Sequence, residues 1–206
     1  MEELVLYTNP MSRGRIARWM MEEVGQPYRA EILDYGPPMK SRDYCAINPM
    51  GKVPTLKHGN RIVTEVAAIC TYMAYTFPEA GLAPHPDELA DFYRWMFFVA
   101  GPVEAAMADH ALGLDIPKEH ERRVGYGNYG MMVETLEKAV QRHPYIAGER
   151  FTAADVYVGA HIGWGLTFGT LPQSAAFEAY WQRLLLRPAL KRANALDDAL
   201  LPARPS

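Results

Sequence analysis

Two hydroxyl-bearing side chains, Tyr7 and Ser12, lie on either side of the Asn9-Pro10 dipeptide near the N-terminus. A hydroxyl can donate a hydrogen bond to an anion such as a thiolate, and the first N–H groups of a helix add partial positive charge there. The residue types and their spacing therefore suit a site that holds a thiolate or another anion. Such a site needs a strand before the turn and a helix after it.

The residues around this turn predict both elements. The apolar run from Leu4 to Tyr7 predicts a strand that ends at the turn, and Ser12 stands where the next helix should begin. Apolar residues then recur at helical spacing, namely Ile16, Ala17, Met20, Met21 and Val24. The turn is therefore a predicted strand-to-helix junction.

The following segments predict the rest of an α/β unit. Residues 28–33 alternate in polarity and predict a strand, parallel to the first because a helix connects them, and residues 40–46 predict a short helix. Residues 55–58 and 61–64, separated by Gly59-Asn60, are typical of a β-hairpin, and Glu65 opens another helix. This order predicts a thioredoxin-like α/β fold with a mixed sheet between helical layers.

The second part of the chain has no strand pattern and predicts an all-α domain. Prolines at 78, 84 and 86 exclude one continuous helix there, so we place a thioredoxin-like domain at 1–78, a linker at 79–86 and a helical domain at 87–206. Predicted helices cover 89–103 with a kink at Gly101-Pro102, then 118–142, 174–186 and 188–200. Three glycines within 125–130 suggest a bend, a break or a close backbone contact. Thr152 and Asp155 form a predicted capping box that opens a further helix.

Composition narrows the functional classes. A net charge of -3 over 206 residues gives no basic surface of the kind that binds nucleic acid. The acidic start of the chain is unlike a signal peptide, and no apolar run reaches the ~18 residues of a membrane span, so we expect a cytoplasmic protein without membrane association. The two cysteines form no Cys-x-x-Cys pair, and no His or Met cluster has ligand spacing, so no metal is expected.

Three motifs resemble the cytosolic glutathione S-transferases, in their bacterial serine-type or tyrosine-type members. The first is the turn at 7–12. The second runs from Asp43 to Leu56 and on to 63–69, and is similar to the family's glutathione-site core. The third is the capping box at Thr152 and Asp155. The resemblance implies glutathione as co-substrate and a detoxifying transferase that attacks a small hydrophobic electrophile, with glutathione-dependent peroxidase activity as an extension.

The resemblance leaves two candidates for the side chain that activates the glutathione thiol. Ser12 corresponds to the activating hydroxyl of serine-type members, and its structural alternative is a helix cap. Tyr7 corresponds to the phenol of tyrosine-type members, and its alternative is a core aromatic on a buried strand. Arg13 stands where cysteine-type members carry their cysteine, so that covalent chemistry is not expected.

The resemblance also assigns glutathione-binding residues. Val53-Pro54 resembles a cis-proline corner whose valine offers its backbone to the cysteinyl part of glutathione. Glu65 would bind the γ-glutamyl amino group, and the Val66 N–H its carboxylate. The family more often has Ser, Thr or Gly after this glutamate, so Val66 removes a hydroxyl contact. Lys40 and Lys52 could pair with the glycyl carboxylate, although exposed lysines are usually only solvated.

The second-substrate pocket is predicted to involve Met11, Tyr93, Phe97 and Glu104, for which core packing is the alternative. Glu104 stands where cysteine-type bacterial members carry a histidine. The resemblance further implies a homodimer. An alternative function is a non-catalytic ligand-binding or partner-binding protein of the same fold.

Overall fold

The structure, a computed structural model, describes residues 2–201. Its contacts divide the chain into two compact units, one containing the residues up to Gly81 and those from Leu186 onward, the other Leu82–Leu185. The last helix therefore groups with the N-terminal unit, whereas the sequence places it in a helical domain at 87–206. Residues 202–206 of that domain lie outside the described residues.

The first unit contains a four-stranded mixed sheet. Its strands are β1 (Leu4–Thr8), β2 (Arg29–Ile32), β3 (Thr55–His58) and β4 (Arg61–Thr64), in the order β2-β1-β3-β4. β1 is parallel to β2 and antiparallel to β3, and β3 and β4 form the antiparallel hairpin. The predicted parallel crossover and the predicted hairpin are both confirmed, and the thioredoxin-like fold with them.

Among residues 2–201, four α-helices complete this unit: α1 (Gly14–Val24), α2 (Arg42–Ile47), α3 (Val66–Thr76) and α9 (Pro188–Asp198). The apolar positions that predicted α1 and α3 are buried, including Ile16, Met20, Ile69 and Met73 at 1% exposure or less. The apolar period therefore placed both helices correctly, because it reports the face that packs away from water.

Helix α9 packs along α1 through ion pairs in antiparallel order. The first pair joins the start of α1 to the end of α9, and the last joins the end of α1 to the residue before α9. The pairs are Arg15 with Asp198, Arg18 with Asp197, Glu22 with Arg192, and Glu23 with Arg187, which directly precedes α9. This pairing gives a reason for α9 to group with the N-terminal unit.

The second unit is helical in the part of the chain that the structure describes. It contains α4 (Leu89–Phe98), α5 (Glu104–Ala111), α6 (Tyr129–Arg142), α7 (Ala153–Phe168) and α8 (Ala175–Leu185). The predicted kink at Gly101-Pro102 is a π-helical segment, Val99–Val103, between α4 and α5. None of the helices within residues 2–201 is long and apolar enough to cross a membrane.

The long helix predicted over 118–142 is wrong in its first half. Residues Lys118–Arg123 form a 3-10 segment, and α6 begins only at Tyr129. Gly127 adopts φ 68°, a left-handed conformation that ends regular helix, and Asn128 caps α6 by accepting a hydrogen bond from the Met131 N–H at 2.9 Å. The glycine-rich stretch is therefore a break.

The capping box that opens α7 is confirmed. The Thr152 hydroxyl accepts from the Ala154 N–H at 3.3 Å, and Asp155 Oδ2 accepts from the Thr152 N–H at 2.8 Å. Asp155 Oδ1 also accepts from the Ile146 N–H and the Tyr180 hydroxyl, both at 2.7 Å. This buried carboxylate thus ties the start of α7 to the preceding loop and to α8.

Candidate active site

The strand register brings the three sequence motifs of the first unit to one edge of its sheet. Tyr7 of β1 is paired with Thr55 of β3, and Thr55 is paired with Thr64 of β4. The turn that follows β1, the corner that precedes β3 and the helix start that follows β4 must therefore lie side by side. Segments far apart in sequence, at 9–14, 52–54 and 65–66, share this edge.

Asn9 organises the turn after β1. Its side-chain Oδ1 accepts from the Met11 N–H at 2.9 Å, and its Nδ2 donates to the Leu33 carbonyl at 2.8 Å. The first bond is an Asx turn, and the second fastens the turn to the end of β2. Asn9 is only 5% exposed, so its amide is part of the rigid support of the site.

Ser12 lies two residues before the start of α1, whose N-cap residue is Arg13, and it is half-buried. Its Oγ accepts from the Gly14 N–H at 2.9 Å and donates to the Asn9 carbonyl at 2.8 Å. A serine hydroxyl has one proton to donate, and here the Asn9 carbonyl receives it. To stabilise a thiolate, Ser12 must turn that proton from the carbonyl to the sulfur. The exchange is favourable in principle, because a hydrogen bond to a charged acceptor is about twice as strong as a neutral one.

Tyr7 occupies a packed position on β1. Its ring lies 5.5 Å, centroid to centroid, from the ring of Tyr44 in α2, at an interplanar angle of 44°. Two side chains between the strand and the short helix thus pack as an aromatic pair. The contact fits the core-aromatic interpretation of Tyr7 and places its ring beside the corner described next.

Tyr44 and Asn48 support the corner before β3. The Tyr44 hydroxyl donates to the Lys52 carbonyl at 2.6 Å, and Asn48 Nδ2 reaches the same carbonyl at 2.8 Å. Both side chains also contact the Thr55 hydroxyl, at 2.9 and 3.0 Å. Burial raises the pKa of Tyr44, which keeps its hydroxyl available as a donor. The Val53-Pro54 peptide that follows is cis, as the resemblance implied.

Lys40 and Lys52 differ in their surroundings. Lys40 Nζ donates to the carbonyls of Met50 and Gly51, at 2.9 Å each, so its ammonium is fixed next to the corner. A Cβ at Gly51 would lie 2.6 Å from the Met39 carbonyl, so this close approach requires glycine. Lys52 is exposed and contributes its backbone carbonyl to the corner. The ammonium of Lys40 is therefore the better positioned of the two.

Glu65 has a strained backbone at the start of α3. Its φ of 63° is the only positive value of a non-glycine residue within residues 2–201. Such a conformation costs about 1–3 kcal/mol and is concentrated at functional sites. The Glu65 side chain does not cap the helix that it precedes, and it is exposed. Val66 is the first residue of α3, where backbone N–H groups have no helical partner.

Within the second unit, the predicted pocket residues range from exposed to half-buried. Tyr93 and Phe97 lie one turn apart on α4 with their rings stacked at a centroid distance of 6.3 Å, and Phe97 is 69% exposed. Glu104 begins α5, and its Oε1 lies 2.8 Å from Nε2 of the buried His161. In the first unit, Met11 is 71% exposed on the turn.

Sequence reasoning missed Asn9, Tyr44, Asn48 and His161. A signal existed for the two asparagines, because Asn9-Pro10 and Asn48-Pro49 repeat the same dipeptide and make the same Asx turn, with Asn48 Oδ1 accepting from the Met50 N–H at 3.1 Å. No local signal indicates the pairing of His161 with a residue 57 positions away.

Neither cysteine lies in the turn. Cys70 is buried in α3, where burial raises the pKa of its thiol. Within residues 2–201, no group of three or more His, Cys, Asp or Glu side chains is arranged to hold a metal ion.

Comparisons with known proteins agree with this geometry. The family model described as "Glutathione S-transferase, N-terminal domain" matches residues 11–76. Glutathione S-transferase GST-4.5 of Xanthomonas campestris pv. campestris is 29% identical, covering 87% of this chain and 92% of that protein. Glutathione S-transferase GstA of Escherichia coli O157:H7 is 27% identical, covering 93% and 98%.

A solved structure shares the fold over the same extent. The theta class glutathione S-transferase of Xanthomonas axonopodis pv. citri, with glutathione bound, has a TM-score of 0.75 and 27% identity, and covers 94% of this chain and 97% of its own. Residues 11–76 are therefore similar to the N-terminal domain of glutathione S-transferases, and the chain shares its fold with the theta class enzyme.

Proposed function

We propose that this protein is a glutathione transferase that binds glutathione at the described sheet edge and stabilises its thiolate with Ser12. The observation that carries the proposal is the register that pairs Tyr7 with Thr55 and Thr55 with Thr64. This register sets three peptide-binding features next to each other: a hydroxyl at a helix start, the backbone of the cis-proline corner, and an acidic side chain before a second helix start.

Each binding role follows from the chemistry of the group. The Val53 backbone pairs with the cysteinyl part of glutathione, and Glu65 receives the γ-glutamyl ammonium while the Val66 N–H meets its carboxylate. Lys40, held by two carbonyls, attracts the glycyl carboxylate, with Lys52 as a second candidate cation. Val53, Pro54, Glu65 and Val66 therefore form the core of the proposed glutathione site.

One hydroxyl is sufficient for activation. A free thiol has a pKa of about 8.5, and lowering it by about two units requires roughly 2.7 kcal/mol. A hydrogen bond to a charged group supplies about 1.5–3 kcal/mol and a helix N-terminus about 0.3–1 kcal/mol. Ser12 at the start of α1 offers both, so no general base is needed. Tyr7 remains the competing donor.

Three variants test the activating residue. In Ser12→Ala the pKa of bound glutathione, followed by thiolate absorbance, should rise by about one to two units and kcat/KM should fall about 10- to 100-fold. Tyr7→Phe should change the thiolate pKa by less than about half a unit and kcat/KM by less than about threefold, because its ring packs against Tyr44. Ser41→Ala is the matched control: Ser41 caps α2 through the Tyr44 N–H, so its loss should reduce stability by ~1 kcal/mol and leave the thiolate pKa unchanged.

The reverse result, with Tyr7→Phe raising the thiolate pKa and Ser12→Ala leaving it unchanged, would assign activation to Tyr7.

Calorimetry separates the enzyme from a non-catalytic carrier. No heat with glutathione, together with tight binding of a hydrophobic dye, would favour the carrier.

The proposal includes a small hydrophobic electrophile as second substrate. It also includes a homodimer, a cytoplasmic location and reduction of peroxides by glutathione, all of which the family resemblance suggests. Sedimentation velocity tests the dimer, and a peroxide-dependent loss of glutathione tests the last activity.

A further inference from the structure

The peptide group between Pro10 and Met11 is held on both of its edges. On one edge the Met11 N–H donates to Asn9 Oδ1 at 2.9 Å. On the other edge the Pro10 carbonyl accepts a hydrogen bond from Arg15 Nη1 at 3.3 Å. This peptide group cannot rotate without breaking one of the two bonds, and it lies one residue before the backbone that carries Ser12.

The next peptide group, between Met11 and Ser12, is held in the same way. The Ser12 N–H donates to the Asn9 carbonyl at 3.1 Å, and the Met11 carbonyl accepts from the Tyr35 hydroxyl at 3.1 Å. Tyr35 lies in the loop that follows β2. Both peptide groups of the turn are thus fixed by side chains from outside it.

The group that holds the Pro10 carbonyl is itself held by α9. Arg15 is the second residue of α1, and its Nη2 pairs with Oδ1 of Asp198, the last residue of α9. Both helices belong to the first unit. A guanidinium is planar and its N–H groups point in fixed directions, so binding a carboxylate through Nη2 also orients Nη1. Asp198 therefore aims Arg15 at the turn.

Fixing this turn matters because of the two bonds that Ser12 already makes. Its hydroxyl accepts from the Gly14 N–H and donates to the Asn9 carbonyl, and it must turn its proton toward a bound sulfur to stabilise a thiolate. A group with such a role has to be held within about 0.5 Å of its working position by its supporting contacts. A turn free to rotate at Pro10 would not keep the Ser12 oxygen in place.

We propose that Arg15, oriented by Asp198, is a positioning residue that holds the turn so that the Ser12 hydroxyl can reach the glutathione sulfur. The inference rests on the proposed function, in which Ser12 stabilises the thiolate. Arg15 acts through the Pro10 carbonyl and does not touch the sulfur. The last helix of the chain thereby takes part in activating the thiol at the first turn.

Arg15→Met tests this role, because methionine keeps an apolar stem and removes both hydrogen bonds. We expect the pKa of bound glutathione, followed by thiolate absorbance, to rise by about half a unit to one unit, which corresponds to a loss of about 3- to 10-fold in kcat/KM. Calorimetry with S-methylglutathione, which has no thiol to ionise, should give an affinity within about twofold of that of the unaltered protein. A loss of the whole site would weaken both ligands.

Asp198→Ala separates positioning from a direct effect of charge. If the Arg15 cation acted only by its charge, removing the neighbouring carboxylate would strengthen the positive field at the turn and lower the thiolate pKa. If Arg15 acts by holding the Pro10 carbonyl, removing Asp198 frees the guanidinium and raises the thiolate pKa. We expect a rise, smaller than that of Arg15→Met. A lowered pKa would overturn the inference.

Arg187→Met is the matched control, because it releases the other end of the contact between α1 and α9. Arg187 binds both carboxylate oxygens of Glu23, at 2.6 and 2.7 Å, at the end of α1 far in sequence from the turn. This variant should lose at least as much stability in urea as Arg15→Met, since its ion pair has two bonds, and should leave the thiolate pKa unchanged. Equal rises in pKa in the two variants would show a general loosening of α9 and contradict a positioning role of Arg15.

Ser12→Ala distinguishes a failure of this inference from a failure of the proposed function. If Ser12→Ala raises the thiolate pKa and Arg15→Met leaves it unchanged, the inference is wrong and the proposed function stands. If the unaltered protein neither binds glutathione nor lowers the pKa of its thiol, the proposed function itself is contradicted.

Discussion

At the scale of single residues, Gly14 shows how closely the turn is packed. A Cβ at this position would lie 2.0 Å from Thr8 Oγ1, 2.9 Å from Ser12 Oγ and 3.1 Å from the Asn9 nitrogen. Thr8 is fully buried, and its hydroxyl has no hydrogen-bond partner among the described residues. The structure therefore leaves no room for a side chain at position 14.

Gly14→Ala should consequently destabilise the protein by about 1–3 kcal/mol and weaken glutathione binding, because the new methyl group must displace the Thr8 and Ser12 hydroxyls. Gly125→Ala is the control, since a Cβ there would have no heavy atom within 4 Å. Urea unfolding measures the stability and calorimetry the affinity. Equal stability of the two variants would contradict the packing described at the turn.

At the scale of elements, the Arg18–Asp197 pair is the buried link between α1 and α9. Arg18 Nε and Asp197 Oδ1 are 2.8 Å apart, and the side chains are 4% and 0% exposed. Burial raises the pKa of Asp197 while Arg18 lowers it, and Arg18 Nη2 and Asp197 Oδ2 have no hydrogen-bond partner within residues 2–201. The hydrogen bonds of the pair therefore do not replace all those that its charged groups would make to water in the unfolded chain.

We expect Arg18→Met alone to cost about 3–5 kcal/mol of unfolding free energy, because it leaves the buried carboxylate without its cation. Arg18→Met combined with Asp197→Leu should recover most of this loss, since an apolar pair of similar size needs no compensation. Urea unfolding of both single variants and the double variant completes a double-mutant cycle, which measures the coupling free energy of the two side chains. The exposed Arg192→Ala should cost at most about 1 kcal/mol. Additive losses in the double variant would exclude the coupling.

The sequence predicted the individual helices and strands better than it predicted which of them pack together. The period of apolar residues identified α1 and α3, since burial of one face is a local property of the sequence, and the Gly59-Asn60 turn identified the hairpin. It could not predict that α9 packs on α1, because the charges of Arg192 and Asp197 are also those of an ordinary solvated helix. The same limit applies to the site: Ser12 and Glu65 belong to local motifs, whereas His161 is defined by a contact across the chain.

At the scale of the whole molecule, stability should depend on pH through the buried Asp155. Burial raises its pKa from 3.8 to about 6, and the hydrogen bonds from Ile146, Tyr180 and Thr152 oppose this without cancelling it. A raised pKa in the folded state means that folding favours the protonated acid. The contribution of protonated Asp155 to the free energy of unfolding is fully present below about pH 4 and is lost as the pH rises through about 6.

The free energy of unfolding of the unaltered protein, minus that of Asp155→Asn, should therefore fall by about 2.4 kcal/mol between about pH 4 and pH 7. The asparagine side chain of this variant does not titrate, so the difference isolates this one group from all other carboxylates. Urea unfolding across the range measures it. A difference that increases with pH would show that the four hydrogen bonds outweigh burial.

The grouping of α9 with the first unit also has a consequence for how the protein is made. The second unit, Leu82–Leu185, is continuous in sequence, whereas the first is assembled from the segment up to Gly81 and the segment from Leu186 onward. Domains fold as units while the chain is synthesised from its N-terminus. The helical unit can therefore fold before synthesis ends, and the unit that carries the proposed glutathione site, although it begins first, is completed last.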